Sequence, residues 1–153
     1  MKLKQIAISI ENSAGRLYEV TRALGEAGIN LRALSLVDTG AFGQLRLLVS
    51  DVAKTRRILM RLQMPAQVNE VVAVEIKDRP GSLAAMLKPL MEAKVNVMYT
   101  YAFVGFSKGR AVMIFRFSDI DKAIEILLKN GYKLLNAKAF GILETNGGDL
   151  PGP

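Results

Sequence analysis

The 153-residue chain contains no cysteine, no histidine and no tryptophan. These absences exclude disulfides, thiolate nucleophiles, imidazole bases and metal sites built on sulfur or nitrogen ligands. Catalysis by carboxylates usually needs two acids held close together, and no pair of acids in this sequence is placed to suggest it. We therefore predict a protein that is not an enzyme and that has no catalytic residue, no metal site and no cofactor.

Long apolar runs are missing as well. No run approaches the ~20 residues of a membrane-spanning helix, and Gln5 and Ser9 interrupt the N-terminal stretch where a signal peptide would need a continuous apolar core. Half of the residues are apolar and 23% are charged, as is typical of globular proteins. We expect a cytoplasmic protein that does not bind membranes, with a flexible tail at Thr145–Pro153, which has little apolar content.

The net charge of +7 raises the question of a nucleic-acid partner. The densest basic cluster comprises Lys54, Arg56, Arg57 and Arg61. Three of these residues recur at helical spacing, opposite apolar positions, and this pattern is typical of the solvated face of an amphipathic helix. We interpret the cluster as such a face.

The chain contains an internal duplication. Aligning Gly15 with Gly81 gives an offset of 66 residues that carries through the surrounding sequence. The matched pairs include Ile6/Val72, Ile8/Val74, Ile10/Ile76, Leu17/Leu83, Leu24/Leu90, Ile29/Val95 and Asn30/Asn96. Further on, Ser50-Asp51 matches Ser118-Asp119 at an offset of 68, so the second repeat has two extra residues.

Within each repeat, the apolar spacing alternates between the periods of strands and helices. The resulting order is β-α-β-β-α-β twice, with Asp51 and Asp119 as expected caps of the second helices and Ala66–Asn69 (AQVN) as a short closing strand of the first repeat. We predict an α+β protein of two tandem ferredoxin-like domains, whose antiparallel sheets carry helices on one face. The predicted boundaries are 1–68 and 69–143, followed by a flexible tail at 144–153.

The strand-to-helix junction is the most distinctive part of each repeat. Asp78-Arg79-Pro80-Gly81-Ser82 can be a simple turn, with Asp78 or Ser82 capping the helix. The same junction can bind an anion, because a helix N-terminus presents unpaired N–H groups and a partial positive charge. Asn30 and Asn96 offer amide groups suited to an amino acid, although each can equally fix only the turn before the next strand.

These residues resemble the ACT domain, a regulatory module of amino-acid metabolism that binds small molecules. The resemblance rests on D-x-P-G-x-L, an amphipathic helix and then (G)-[IV]-N-[IV], and it covers about residues 4–143. In the second repeat the motif residues are Asp78, Pro80, Gly81, Leu83, Val95, Asn96 and Val97; in the first they are Asn12, Gly15, Leu17, Gly28, Ile29, Asn30 and Leu31. The first repeat departs from the motif at Asn12 and Ala14, which leaves the equivalence of the two sites open.

The resemblance implies a stand-alone pair of ACT domains that binds a free amino acid where two domains or two subunits meet. It further implies a homodimer and a regulated partner, either an enzyme or a transcription factor. The predicted ligand-binding residues are Asn12, Ser13, Ala14, Gly15, Arg16, Leu17 and Asn30 in the first repeat, and Asp78, Arg79, Pro80, Gly81, Ser82, Leu83 and Asn96 in the second.

Two alternatives from other classes remain. The protein can be a docking module that regulates an enzyme without a ligand. The same order of elements also occurs in RNA-binding modules, which place aromatic residues on central strands to stack bases. Here Arg110 and Val112 occupy the positions that would need those aromatic residues, which argues against RNA binding through the sheet.

Overall fold

The computed structural model describes residues 1–144, with the side chains of residues 103–107 left out. Its elements are β1 (Leu3–Glu11), α1 (Arg16–Glu26), β2 (Leu31–Asp38), β3 (Phe42–Val49), α2 (Val52–Arg61), β4 (Gln67–Lys77), α3 (Ser82–Glu92), β5 (Val97–Ser107), β6 (Arg110–Phe117), α4 (Ile120–Lys129), β7 (Lys133–Leu135) and α5 (Ala137–Phe140). Within the described residues, no helix is both long and apolar enough to cross a membrane. The predicted fold class is confirmed.

The chain forms two compact units. The N-terminal unit comprises Lys4–Asn69 and, within the described residues, 137–144; the C-terminal unit comprises Met1–Leu3 and Glu70–Asn136. The last described segment therefore belongs to the same unit as the first repeat. The predicted tail at Thr145–Pro153 lies outside the described residues.

In the N-terminal unit, β3 is the central strand of an antiparallel sheet and pairs with both β1 and β2. The segment 137–144 adds to this unit through backbone bonds: Leu143 forms a parallel bridge with Asp51, and its N–H donates to the carbonyl of Ser50 at 2.8 Å. The carboxylate of Glu144 also accepts a bond of 2.8 Å from the N–H of Lys4. A segment distant in sequence thus completes this unit.

In the C-terminal unit, β4 pairs with β6 and β7, and β5 pairs with β6, all antiparallel. The resulting order, β7-β4-β6-β5, is that of a ferredoxin-like sheet. The short closing strand predicted at AQVN lies at the start of β4, which runs without interruption from Gln67 to Lys77. No glycine or proline stands between Ala66 and Lys77 to break the strand.

The core of the C-terminal unit is an apolar cluster between its sheet and the helices α3 and α4. Its buried members are Val72, Val74, Ile76, Met86, Leu90, Val95, Ala111, Met113, Phe115, Phe117, Ala123 and Leu127. Each has a buried counterpart in the first repeat, namely Ile6, Ile8, Ile10, Val20, Leu24, Ile29, Gly43, Leu45, Leu47, Val49, Thr55 and Leu59. The duplication therefore preserves the inward faces of strands and helices position by position.

Strand β6 is buried on both faces. Val112 and Ile114 are fully buried, as is Phe115 on the opposite face, while Arg116 is exposed. Both faces of this strand are therefore covered.

Candidate functional site

The two predicted loops turn through the same backbone conformation. Strand β1 ends at Glu11 and β4 ends at Lys77, each directly before its loop. The helix that follows, α1 or α3, begins directly after a glycine in the left-handed region. Gly15 has φ 93° and Gly81 has φ 85°. A residue with a Cβ atom is strained there, so this turn requires the glycine that both repeats share.

The helices that follow these loops start without a side-chain cap. The prediction that Asp78 or Ser82 caps α3 is therefore wrong. The first turn of each helix contains two backbone N–H groups that donate to no acceptor within the described residues. They are those of Leu17 and Tyr18 in α1 and of Leu83 and Ala84 in α3. These are the donors that an anion at a helix N-terminus would meet.

The other helix of each unit is capped, as predicted. Asp51 accepts from the N–H of Lys54 at 3.0 Å, and Asp119 accepts from the N–H of Lys122 at 3.1 Å. Each unit thus supplies a carboxylate to one helix and leaves the N-terminal donors of the other open.

Asn12 fixes the first loop to the β2–β3 hairpin. Its Nδ2 donates to Oδ1 of Asp38 at 3.1 Å and to the carbonyl of Gly40 at 3.0 Å. Asp38 in turn accepts from the N–H of Gly40 at 2.8 Å. The Asn12 side chain, predicted to bind ligand, therefore already has a structural role through its amide hydrogens.

A cleft of about 200 Å³ opens beside this loop. It is lined by Ile10, Glu11, Asn12, Ser13, Leu17, Leu36, Asp38 and Gly43. Gly43 lies against Leu36, because a Cβ atom at position 43 would approach Leu36 Cδ1 to 3.0 Å. The structure thus brings Asn12, Ser13 and Leu17 together around one small cleft.

The second loop lacks the asparagine that ties the first loop to its hairpin, because Asp78 takes its place. Its backbone is held at Asp78, whose N–H donates to the carbonyl of Gly109 at 3.0 Å. Among the residues whose side chains the structure describes, however, none donates a hydrogen bond to the exposed Asp78 carboxylate. Val104 takes the place of Asp38 at the offset of 66, so no acidic partner is available there.

Asn30 and Asn96 lie directly before β2 and β5 rather than within them. Their backbones are held in the same way, since each N–H donates to a serine Oγ, of Ser50 at 2.8 Å or of Ser118 at 3.0 Å. Each serine N–H returns a bond to the asparagine carbonyl. The side chains of both asparagines are exposed and, in the described part of the chain, bond no protein atom.

Within one unit, Asn30 and the first loop lie at opposite ends of β2. The loop contacts Asp38 at the end of this strand, and Asn30 precedes its start. The strand has 8 residues, which at ~3.3 Å per residue is roughly 25 Å. The same arrangement separates Asn96 from the second loop, so neither repeat joins its own loop and asparagine into one site.

Arg16 is the charged member of the first predicted set. Its Nη1 forms a 2.6 Å ion pair with Glu19 on the same helix. Its Nε is buried and, among the described residues, has no hydrogen-bond partner. Ser82 takes its place in the second repeat, so only the first loop has a cation at the start of its helix.

A lysine in each unit has a role that the sequence analysis missed. Lys54, assigned to a solvated face, donates from Nζ to the carbonyl of Ala27 at 2.7 Å, where it caps the C-terminus of α1. Lys122 does the same for Ala93 at 2.9 Å. The match of Lys54 with Lys122 at the offset of 68 was the signal in the sequence that could have revealed this role.

Comparisons with known proteins agree with this geometry. A family model described as an ACT domain pair matches residues 1–143. The crystal structure of protein BT0572 from Bacteroides thetaiotaomicron is 36% identical, covers 94% of this chain and 98% of its own, and superposes with a TM-score of 0.87. No curated protein sequence matches the chain.

More distant structures share the fold. The ligand-free regulatory subunit of aspartate kinase from Thermus thermophilus is 18% identical, covers 82% of this chain and 90% of its own, and gives a TM-score of 0.60. Aspartokinase III from E. coli, in complex with lysine and aspartate, is 14% identical over 84% of this chain and 30% of its own, with a TM-score of 0.52.

Proposed function

Because this chain belongs to the ACT domain family as a pair of such domains over residues 1–143, we propose that it is a regulatory protein that binds a free amino acid and modulates a partner. The observation that carries the proposal is the contrast between the helices of each unit. Asp51 and Asp119 cap α2 and α4, whereas α1 and α3 start at a left-handed glycine with open N–H donors. The carboxylate of an amino acid can bind to those donors.

The exposed asparagines supply the second half of the proposed site. Asn30 and Asn96 present amide groups without a protein partner in the described residues, and an amide can both accept from an ammonium group and donate to a carboxylate. Each lies far along its strand from its own loop. A complete site therefore needs the asparagine of another domain or subunit, and we place the ligand at such a seam.

The exposed residues of β2 fit a seam between subunits. Leu34, Leu36 and Val37 are each more than two-fifths exposed, and within the described N-terminal unit β2 pairs only with β3. An apolar edge strand of this kind is a surface onto which a second chain can pair. The proposal accordingly includes a homodimer.

The distant structures bear on the class of partner. The Thermus thermophilus protein is a regulatory subunit of aspartate kinase, and the E. coli enzyme carries lysine and aspartate. By analogy, we expect this chain to act in the cytoplasm without catalytic activity of its own, on an enzyme or a transcription factor. Ligand at the seam would favour one packing of the domains, which the partner then distinguishes from the other.

Binding of RNA through the sheet is not supported. Val112 is fully buried, as is its neighbour Ile114, so neither position is accessible to a base. Stacking of bases needs exposed aromatic rings on the central strands.

The test is a thermal-shift and calorimetry screen of the purified chain against the common amino acids. One amino acid at 100 times its dissociation constant should stabilise the fold by about 2.7 kcal/mol. Silence across the whole panel would contradict the proposal and support the alternative of a docking module without ligand.

Variants then test the site. Asn30→Ala and Asn96→Ala should weaken binding of the amino acid that is found, at one or both sites, while Lys88→Ala, an exposed change on α3, should leave it unchanged. Unaltered affinity in both asparagine variants would remove these side chains from the site. Sedimentation analysis of the same samples should show a dimer.

A further inference from the structure

A second cleft lies wholly within the C-terminal unit, beside the start of α3. Its volume is about 520 Å³, within the ~300–1,000 Å³ of small-molecule sites. Its polar lining comprises Glu75, Lys77, Ser82, Arg110, Tyr132 and Lys133. We refer to it as the basic cleft.

The pairing of strands places the charges of the basic cleft together. Lys77 lies directly opposite Arg110 across the β4–β6 pair, and Glu75 lies directly opposite Lys133 across the β4–β7 pair. Glu75 and Lys77 are two residues apart on one strand, so all four side chains share one face of the sheet. Three separate strands thus contribute to one charged group.

The charges in this group do not balance. The Glu75 carboxylate, only 12% exposed, lies 3.9 Å from Arg110 Nε and 3.5 Å from Lys133 Nζ. Lys77 has no carboxylate partner among residues 1–144. Two cations therefore share one carboxylate, and a third lies opposite Arg110, a like-charged arrangement that destabilises a strand pair.

The first repeat does not reproduce this group. The positions that match Lys77, Arg110 and Lys133 are Glu11, Phe42 and Pro65. Glu11 and Phe42 also lie opposite each other, in the β1–β3 pair. The strand-pair positions of Lys77 and Arg110 are therefore shared by both repeats, whereas the excess of cations belongs to the second alone.

We propose that the basic cleft binds a small phosphate-bearing molecule. A phosphate dianion matches an excess of two positive charges, and the arginine fork, the ammonium groups and the hydroxyls of Ser82 and Tyr132 offer donors to several of its oxygens. The cleft is larger than one phosphate group, so it can accommodate an organic part as well. The cleft borders the proposed amino-acid site at Ser82, the first residue of α3, but its cations do not belong to that site.

The test uses inorganic phosphate as the probe, with the intact chain and chloride at matched ionic strength as the reference. Titration followed by backbone amide NMR should give saturable shifts at residues 75–77, 110 and 131–133. Succinate, a dianion with separated carboxylates, should bind at least tenfold more weakly. Equal or tighter binding of succinate, or shifts no larger than those with chloride, would overturn the proposal.

Variants of equal charge separate a site from a general effect of the basic surface. The double variant Lys77→Gln/Lys133→Gln should lose at least tenfold in phosphate affinity. Arg61→Gln/Lys88→Gln removes the same charge from exposed positions outside the cleft and should change it less than twofold. Equal losses in both double variants would show general attraction only and contradict the site.

A third variant predicts a change in the opposite direction. Glu75→Gln removes the one carboxylate of the cleft and should tighten phosphate binding several-fold. Weaker binding by a variant that retains the melting temperature of the parent would contradict the charge argument. Amino-acid binding should persist in Lys77→Gln/Lys133→Gln, so failure of this proposal is distinguishable from failure of the proposed function.

Discussion

In the N-terminal unit the side chain of Asn12 holds its loop to the β2–β3 hairpin, whereas the corresponding Asp78 of the C-terminal unit makes no such bond to any residue whose side chain the structure describes. The floor of the first cleft differs in the same way, because Gly43 and Leu36 correspond to Ala111 and Ala102. Several side chains around the two loops therefore differ between the repeats.

What the two units share is the set of contacts that fixes the backbone. Both begin a helix at a left-handed glycine, and both cap the other helix with an aspartate. Both also close the first helix with a lysine, Lys54 or Lys122. The duplicated frame is thus common to both repeats, and the difference lies in which chemistry each presents to a ligand.

The largest expected effects come from substitutions at matching positions in the two cores. Phe115→Ala removes a fully buried ring that stacks on Phe117 with centroids 5.1 Å apart, and should cost about 4 kcal/mol. Leu47→Ala, at the matching position, should cost about 3 kcal/mol because less volume is lost. Urea denaturation measures both free energies of unfolding.

Met91→Ala serves as the control for the core variants, since Met91 is 67% exposed, and should lie within about 0.5 kcal/mol of the parent. A Leu47→Ala variant that is less stable than Phe115→Ala would show that the loss of stability at these matched positions does not follow the side-chain volume removed.

The next effect concerns the loops. Gly15→Ala and Gly81→Ala should each destabilise the fold by about 1–2 kcal/mol, because a Cβ atom is strained at positive φ. No atom lies within 4 Å of the added Cβ at either position, so the cost comes from the backbone and should be alike in the two repeats. Thermal denaturation of both variants tests this.

Gly25→Ala provides the matched control, since Gly25 lies in α1 with open space around its Cβ position. This change should stabilise the protein by up to about 1 kcal/mol through helix propensity. A difference of more than about 1 kcal/mol between Gly15→Ala and Gly81→Ala would mean that the two loops are not equivalent in backbone.

A smaller effect should distinguish the repeats directly. Asn12→Ala loses the bonds to Asp38 and Gly40 and should cost about 1 kcal/mol, whereas Asp78→Ala should stay within about 0.5 kcal/mol of the parent. A double-mutant cycle of Asn12→Ala with Asp38→Ala should show coupling. Additive effects in that cycle, or an equal cost at Asp78, would remove the difference between the loops.

Much of this organisation could be predicted from the sequence because it repeats locally. The alternation of Ile6, Ile8 and Ile10, the helical spacing after Gly15 and the aspartate caps all act over a few residues, and the duplication, at offsets of 66 and then 68, showed each pattern twice. Consistent local signals of this kind specify element order well.

The remainder depends on contacts between distant residues. The association of residues 137–144 with the N-terminal unit, and the opposition of Lys77 to Arg110, follow from strand pairing that no local pattern encodes. The fusion of AQVN into β4 likewise follows from how far the strand continues, and element boundaries are the least certain part of a prediction from sequence. The loops of the candidate site were therefore predicted, but the location of loop and asparagine at opposite ends of β2 was not.

The smallest predicted effect concerns an ion pair of Lys2 in the C-terminal unit. The ammonium of Lys2 lies 2.9 Å from the carboxylate of Asp121 and 3.8 Å from that of Glu70. The hydrogen bond to Asp121 is the main cause that raises the pKa of Lys2 above its ordinary value of 10.5. Ala53 occupies the matching position in α2, so the first repeat has no such pair.

The raised pKa of Lys2 sets the sign of the pH dependence of stability. A pKa that is higher in the folded than in the unfolded protein adds stability below the unfolded value, and this contribution disappears as the pH rises through the folded value. Lys2→Gln should therefore be slightly less stable than the parent at neutral pH, and the difference should vanish well above pH 10.5. Chemical denaturation at a series of alkaline pH values, with Lys88→Gln as the control, would measure it. A difference that grows with pH would contradict the assigned pair.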